Sequence, residues 1–147
     1  MSEVIEIRKI SLPISGFTEL AYEAETEGHL FLRRMAEEWT DGTNRFSKSG
    51  ELILGAYVGV RLIGVGGLNI CPYSNDVRIG RLRHLYVLQN YRNRSIAGKL
   101  IANILSSVDD RFDLVRLRTI NPAAIALYEK YGFSHSTHPQ ATHEIFP

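Results

Sequence analysis

The stretch Tyr86–Ile101, YVLQNYRNRSIAGKLI, places Arg92 and Arg94 in a short polar turn between a predicted strand and a predicted helix. The first N–H groups of a helix have no partner within the helix, and the helix dipole adds partial positive charge there. A pyrophosphate can accept several of those N–H bonds, and the two arginines can add charge-assisted contacts. The residues alone fit either a phosphate site or a solvated connection whose arginines face water.

A second segment, Thr119–Phe133 (TINPAAIALYEKYGF), joins the end of a strand to a short helix. Asn121 is a favourable N-cap, and Pro122 suits the first helical position. Tyr128 follows two turns into this helix. Taken alone, a tyrosine at that position is more often a packing residue than a catalytic one.

The charge of the chain is unevenly distributed. The formal net charge is only +1, which argues against a global field that attracts nucleic acid or a membrane surface. The segment 77–99 nevertheless contains no acidic residue and six basic ones, namely Arg78, Arg81, Arg83, Arg92, Arg94 and Lys99. A local basic segment on a nearly neutral protein predicts a site for a small anion.

Composition is that of an ordinary globular protein. The 147 residues predict a single domain over 1–147 that can bury a substantial core. Cys71 is the one cysteine, so no intramolecular disulfide can form, and a reducing cytoplasm is the expected location. No apolar run is long enough to span a bilayer, and the first residues contain no signal-peptide core, so no membrane association is expected.

The periodicity of apolar residues predicts the elements that position these segments. Strands are predicted at 3–10, 51–59, 61–70, 77–88, 114–120, 133–137 and 142–146. Helices are predicted at 17–39 (split at Gly28), 96–108 and 122–131. The second and third strands form a hairpin, and the glycines of the third strand imply bulges or close backbone approach. The helix between the fourth and fifth strands makes that pair parallel.

Taken together, the two segments resemble the GNAT superfamily of acyl-CoA-dependent N-acyltransferases. The family pattern is a strand ending in Leu-Tyr-Val, followed by a turn Arg/Gln-x-x-Gly-x-Gly/Ala that opens a helix, and Leu85–Ile101 follows it. A second signature, Asn-x-x-Ala-x-x-Leu-Tyr-x-x-x-Gly-Phe, matches Asn121–Phe133. The resemblance implies an α/β fold of the α+β type. It would have a mixed central sheet of six or seven strands, a splayed central parallel pair and about four flanking helices.

The resemblance also implies acetyl-CoA as co-substrate, without a metal ion. The pyrophosphate would lie over the turn, and the pantetheine arm would bond backbone groups at the end of the fourth strand. Asn121 would bridge backbone groups where the two strands part, besides capping its helix. The implied donor-binding residues are Tyr86, Val87, Leu88, Arg92, Asn93, Arg94, Ser95, Ile96, Ala97 and Asn121.

Two side chains are the catalytic candidates. Tyr128 occupies the position from which the family protonates the departing thiolate. Many family members place a glutamate base near the position of Arg81, and arginine cannot accept a proton at neutral pH. His84 lies on the same strand and ordinarily titrates near neutral pH, so it is the candidate base. A histidine with only a core or surface role, and water as the proton carrier, remain open.

The turn departs from the family pattern at Ser95 and Asn93, where glycines are usual. Residues in the first turn of a helix need only ordinary helical angles, which serine adopts, and its hydroxyl can donate to a phosphate oxygen. We therefore expect the turn to bind pyrophosphate without its glycines.

The expected function is an N-acetyltransferase that transfers an acetyl group to a primary amine of a small molecule or peptide by direct attack. The alternative is a non-catalytic acyl-CoA-binding or regulatory domain, which the missing strand glutamate and the altered turn favour. A nucleic-acid-binding function is not expected, because the turn accounts better for the arginines. The last strands are a candidate interface for a homodimer.

Overall fold

The computed structural model describes residues 3–147, and a seven-stranded mixed sheet is its central feature. In chain order the strands are β1 (Ile5–Ile10), β2 (Leu52–Val58), β3 (Arg61–Ile70), β4 (Ile79–Val87), β5 (Leu114–Leu117), β6 (Ser134–His135) and β7 (His143–Ile145). Their order across the sheet is β1-β2-β3-β4-β5-β7-β6. Only β4 and β5 pair in parallel; the other neighbours are antiparallel.

Four α-helices flank the sheet within residues 3–147. They are α1 (Phe17–Thr26), α2 (Phe31–Asp41), α3 (Ile96–Ser107) and α4 (Pro122–Lys130). Gly28 separates α1 from α2 with a φ of +88°, as the sequence predicted. The seven strands, four helices and parallel pair confirm the predicted fold class. Within the described residues, no helix combines the length and apolar character needed to cross a membrane.

The parallel pair separates soon after it begins. β4 and β5 are in register only over Ile79–Arg81 and Leu114–Arg116, and beyond these residues the two strands diverge. The chain that leaves β5 is fixed by Asn121, whose side-chain oxygen accepts from the N–H groups of Ala123 and Ala124 at 2.9 and 3.2 Å. The predicted N-cap is confirmed, and α4 begins beside the open end of the pair.

A bulge interrupts the opposite edge of β4. Gly67 pairs with Arg83 and Val65 with Tyr86, so one residue of β3 faces two residues of β4. His84, one of the two, has a φ of +62°. A Cβ atom on Gly67 would lie only 2.8 Å from the Phe46 ring, which explains why this strand needs glycine. Such a bulge bends a strand and redirects its side chains.

Candidate active site

The separation of β4 from β5 opens a cleft of about 1150 Å³. It extends from the N-terminus of α3, along β4 and α4, to the connection between α1 and α2. Ten of the twelve predicted site residues line it: His84, Tyr86, Val87, Arg92, Asn93, Ser95, Ile96, Ala97, Asn121 and Tyr128. Leu88 and Arg94 do not line it.

The turn before α3 contains two residues with left-handed backbone angles. Ser95, the N-cap of α3, has φ 61° and ψ 20°, and Asn93 has a φ of 64°. The expectation that Ser95 needs only ordinary helical angles is therefore wrong. A left-handed conformation costs most residues about 1–2 kcal/mol, whereas asparagine tolerates it better. The glycine usual at this position would relieve that strain.

The N-terminus of α3 presents backbone donors to the cleft. No side chain among the described residues caps this helix, and its first helical bond joins the Lys99 N–H to the Ser95 carbonyl at 3.0 Å. The N–H groups of residues 96–98 precede that bond, so the helix itself does not use them. All three residues line the cleft. The Tyr131 hydroxyl packs against Gly98 so closely that a side chain at Gly98 would collide with it.

Arg92 is already paired, contrary to the expectation that it faces a phosphate. Its guanidinium donates to the Glu27 carboxylate at 2.6 and 3.0 Å, and its Nε donates to the Val87 carbonyl at 3.0 Å. The Arg92 guanidinium, and then the Tyr86 hydroxyl 2.7 Å away, lower the pKa of Glu27. We call this pair the Arg92–Glu27 clamp. It joins the end of α1 to the turn before α3 across 65 positions of sequence, and no local sequence motif could reveal a contact over that separation.

Tyr86 adds a second contact between α1 and β4. Its hydroxyl lies 2.6 Å from the Glu23 carboxylate as well as 2.7 Å from that of Glu27. Burial, followed by these two carboxylates, raises the pKa of Tyr86. The side chain is therefore a neutral structural donor, and only its backbone remains a candidate for the donor arm.

Two predicted donor-binding residues are engaged elsewhere. The Leu88 N–H donates to the Ile63 carbonyl, and the Leu88 carbonyl accepts from the Tyr91 N–H, both at 2.9 Å. Arg94 pairs with Glu3 at 3.3 Å, and its guanidinium lies 5.2 Å from the centre of the Tyr91 ring. Neither residue lines the cleft, so the structure brings neither of them to the proposed donor site.

Tyr128 lies in the cleft wall between its two ends. Its ring is buried and packs edge-on against Phe133, with ring centres 5.5 Å apart. Within the described residues its hydroxyl makes no hydrogen bond. Burial raises the pKa of Tyr128, so the hydroxyl keeps its proton across the physiological range. The group is a neutral hydrogen-bond donor that remains available to a ligand.

His84 is a buried, neutral imidazole. Its ring lies 6.2 Å from the Phe31 ring and 5.9 Å from the Phe46 ring, measured between centres. Burial, and then the charges of Arg83 and Arg81, lower the pKa of His84 to about 3. The expectation that His84 titrates near neutral pH is therefore wrong. Neither ring nitrogen has a hydrogen-bond partner among residues 3–147.

Two arginines on β4 complete this end of the cleft. Arg81 is only 7% exposed; it donates to the Gln140 carbonyl at 2.9 Å and stacks over the Tyr73 ring at 4.9 Å. Arg83 is partly buried, and burial lowers its pKa. Neither forms an ion pair in the part of the chain that the structure describes. The sequence assigned no specific role to either arginine, because the basic segment that predicted a site for a small anion showed their charge but not their side of the sheet.

Comparisons with known proteins agree with this architecture. A sequence model of the acetyltransferase (GNAT) family matches residues 14–133. A provisionally named acetyltransferase from Exiguobacterium sp. 255-15 is similar in structure, with 24% identity, a TM-score of 0.82, and coverage of 97% of this chain and 93% of its own. No curated protein matches the chain.

Two further solved structures have the same fold. The PaiA N-acetyltransferase from Thermoplasma acidophilum, solved in complex with coenzyme A, is 20% identical, with a TM-score of 0.70 and 96% of both chains covered. The ribosomal-protein-alanine N-acetyltransferase from Brucella melitensis is 17% identical, with a TM-score of 0.71 and coverage of 97% of this chain and 99% of its own. At these identities the similarity establishes the fold of the chain.

Proposed function

Because the chain belongs to the acetyltransferase (GNAT) family and is an acyltransferase, we propose that it transfers an acetyl group from acetyl-CoA to a primary amine of a small molecule or peptide. One observation supports this most strongly. The unused N–H groups at the start of α3 and the Tyr128 hydroxyl lie on a single cleft, opened by the separation of β4 and β5. An anion at one end and a reacting thioester near the middle fit that arrangement.

The residues present fit the donor. The N–H groups of residues 96–98 would hold the pyrophosphate, aided by the dipole of α3. The backbone of Tyr86 and Val87, on the diverging part of β4, would bond the pantetheine arm. Arg92 would act indirectly, because its clamp to Glu27 holds the turn in place and leaves a guanidinium beside the site. The PaiA protein, which has a similar fold, was solved in complex with coenzyme A, and this supports a CoA thioester as the donor.

Bound acetyl-CoA supplies the acetyl group, and its C–S bond breaks as the amine nitrogen bonds to the carbonyl carbon. Tyr128 would donate a hydrogen bond to the sulfur as negative charge develops there, and would be reprotonated from water after any transfer. The pKa of a thiol is about 8.5, well below that of the buried Tyr128 hydroxyl, so the thiolate does not readily take the proton. Tyr128 therefore lowers the barrier to C–S cleavage mainly by its hydrogen bond to the sulfur. The proton that the amine loses passes to water.

The amine must be neutral before it attacks. His84 stays the predicted side-chain base, but an imidazole of such low pKa holds a transferred proton poorly, which favours water as the carrier. Arg81 and Arg83 in the same wall disfavour a protonated amine by charge repulsion. The rate should therefore rise with pH until the bound amine is neutral.

We also propose that the chain is a single domain over residues 1–147 that acts in the cytoplasm and forms a homodimer through its last strands. Cys71 is buried and unpaired, which suits a reducing compartment. β6 is an edge strand of the sheet, so its outer side is open to pairing. Light scattering of the purified protein would contradict the dimer by giving the mass of one chain.

Calorimetry with CoA, together with thiol release from acetyl-CoA in the presence of amines, tests the proposal. Ala97→Pro removes one N–H that α3 does not use, while proline remains acceptable in a first helical turn. CoA affinity should fall about 10- to 100-fold, as for a lost hydrogen bond to a charged group. Ala97→Ser retains the N–H and is the matched control. Wild-type affinity in Ala97→Pro would contradict the pyrophosphate placement.

A further inference from the structure

The end of the cleft away from α3 is strongly basic. Its cationic lining residues are Arg34, Arg81, Arg83 and Arg118. Glu27 is the one carboxylate that lines the cleft within residues 3–147, and it is already paired with Arg92. None of these four arginines makes an ion pair with a described residue. The wall therefore carries positive charge that residues 3–147 do not neutralise by ion pairs.

Arg83 and Arg81 are the most costly of these charges. They are two positions apart on β4, before the bulge, so their side chains project from the same face of the sheet. The charge of Arg81 further lowers the pKa of Arg83, so the two guanidiniums are close enough to repel each other. Glu38 favours the charged form of Arg83, yet it lies too far away for an ion pair. Burying like charges without a counterion is unfavourable unless a ligand supplies one.

In the proposed arrangement the pyrophosphate of the donor lies at the other end of the cleft. Five residue steps separate Arg83 from Leu88, which is at most about 17 Å at the usual rise of a strand, because the bulge at His84 bends β4. The turn that would hold the pyrophosphate begins beyond that point. The basic wall therefore faces the part of the cleft left for the acceptor, next to the connection that leads into α2.

His84 provides a second, independent sign of a ligand at this end. It lines the cleft, is 8% exposed, and has no hydrogen-bond partner for either ring nitrogen in the described part of the chain. Buried polar atoms are rarely left without a partner. The adjacent Phe31 ring offers an apolar surface to the same ligand. A molecule at this end would meet a hydrogen-bonding imidazole, a flat apolar ring and unpaired guanidiniums.

We propose that the acceptor is a small primary amine that also carries an anionic group, a carboxylate or a phosphate, held by Arg83 together with Arg81 and Arg34. This inference rests on the proposed acetyl transfer and specifies its acceptor. The anion neutralises the buried Arg81 and the partly buried Arg83, and the exposed Arg34 adds a third positive charge. His84 donates or accepts one further hydrogen bond. The remaining positive field keeps the amine in its neutral, reactive form.

Matched amines provide the test. Phenylalanine and 2-phenylethylamine differ by a carboxylate, and phosphoethanolamine and ethanolamine differ by a phosphate, so the two pairs distinguish the two anions. In at least one pair, kcat/KM should be about tenfold or more higher for the anionic member. Calorimetry of each amine against the protein without CoA measures the same preference independently of acetyl transfer.

Arg83→Gln should raise KM for the preferred anionic amine about 10- to 100-fold without lowering CoA affinity or stability, because it removes one of two like charges that have no counterion. Arg83→Lys keeps the charge and should retain part of the preference. Arg33→Gln is the control, because Arg33 lies on α2 beside Arg34 but pairs with Glu25 and Glu37 outside the cleft.

Three results would overturn the inference. They are equal use and binding of both members of every pair, weaker CoA binding in Arg83→Gln in place of a KM effect, and marked destabilisation of Arg83→Gln, which would indicate a structural arginine. Failure of the wild-type protein to bind CoA would instead count against the proposed function, while the amine calorimetry would still decide the inference.

Discussion

The arginines at the two ends of the cleft differ in a way that reverses what their positions in the sequence suggest. Arg92 and Arg94 lie in the turn that resembles a phosphate site, yet both are paired with carboxylates, Glu27 and Glu3. Arg81 and Arg83 match no binding motif, yet they line the cleft without an ion pair among the described residues. At the α3 end, where we propose that the donor binds, the backbone supplies the free hydrogen-bond donors. At the opposite end, where we propose that the acceptor binds, side chains supply them; we call these the donor end and the acceptor end.

This difference suggests how each end recognises its ligand. Backbone N–H donors depend on the conformation of the main chain and not on side-chain identity. They can therefore bind the same donor even where the surrounding side chains are substituted. A wall of side chains depends on their identity, so it specifies one acceptor chemistry. We therefore expect substitutions at the donor end to act through backbone geometry and stability, and those at the acceptor end to act through charge.

The largest effect is expected at Tyr128, which lies between the two ends. Tyr128→Phe keeps the ring packed against Phe133 and removes only the hydroxyl. We expect kcat to fall about 10²- to 10⁴-fold while CoA affinity barely changes, because the hydroxyl acts on charge that forms during the reaction. Steady-state kinetics and calorimetry measure the two quantities. A change in CoA affinity alone would assign Tyr128 to the donor end.

The pH dependence of stability at His84 reports how strongly the acceptor end of the cleft is buried. Its pKa is about 3 in the folded protein and 6.5 in the unfolded chain, so the unfolded chain binds a proton first as pH falls. The neutral imidazole of His84 therefore makes its full contribution to the free energy of unfolding above pH 6.5. That contribution is lost as pH falls from 6.5 towards 3. The loss is at most about 1.4 kcal/mol for each pH unit. Activity should show no inflection between pH 6 and 7 that depends on His84.

His84→Asn is the variant for this measurement, because asparagine tolerates the positive φ and does not titrate. Urea unfolding at several pH values should show the wild-type protein losing stability below pH 6.5 faster than the variant does. Parallel pH curves for the two proteins would show that the imidazole is hydrated and ionises normally.

Arg92→Gln should act mainly on stability. The variant loses the pair with Glu27 and the bond to the Val87 carbonyl, while water screens the partly exposed pair, whose side chains are 40% and 26% exposed. We expect the free energy of unfolding to fall by about 1 kcal/mol and CoA affinity to change by less. Arg94→Gln, which breaks a more exposed pair, is the matched comparison. A loss of CoA affinity larger than the loss of stability would return Arg92 to the role of a direct phosphate ligand.

The smallest effect is expected at Ser95. Ser95→Gly relieves a left-handed conformation but adds flexibility to the unfolded chain, so the net gain in unfolding free energy should be about 0.5–1 kcal/mol. Asn93→Gly should gain less, because asparagine already tolerates these angles. Thermal unfolding of both variants measures the difference. A gain in CoA affinity, beyond the gain in stability, would show that the serine side chain obstructs the backbone cradle.

The sequence predicted the elements well because their signals are local. Asn121 and Pro122 specify the start of α4, and the two flanking segments place Tyr128 near the diverging strands. The pairing of Arg92 with Glu27 could not be predicted, since it joins α1 to the turn through the tertiary fold. The left-handed angles of Ser95 were also hidden, because the sequence does not distinguish an N-cap from the first residue of a helix.

The short parallel pairing of β4 and β5 also has a consequence for hydrogen exchange. Beyond Arg81, the side of β4 that faces β5 pairs with no strand in the part of the chain that the structure describes. Its amides should exchange with deuterated solvent sooner than those of the same strand that donate to β3. A ligand lying along the cleft would act as a substitute strand and slow that exchange. The amides of β4 whose exchange slows when the ligand binds would then identify the residues of β4 that the ligand contacts.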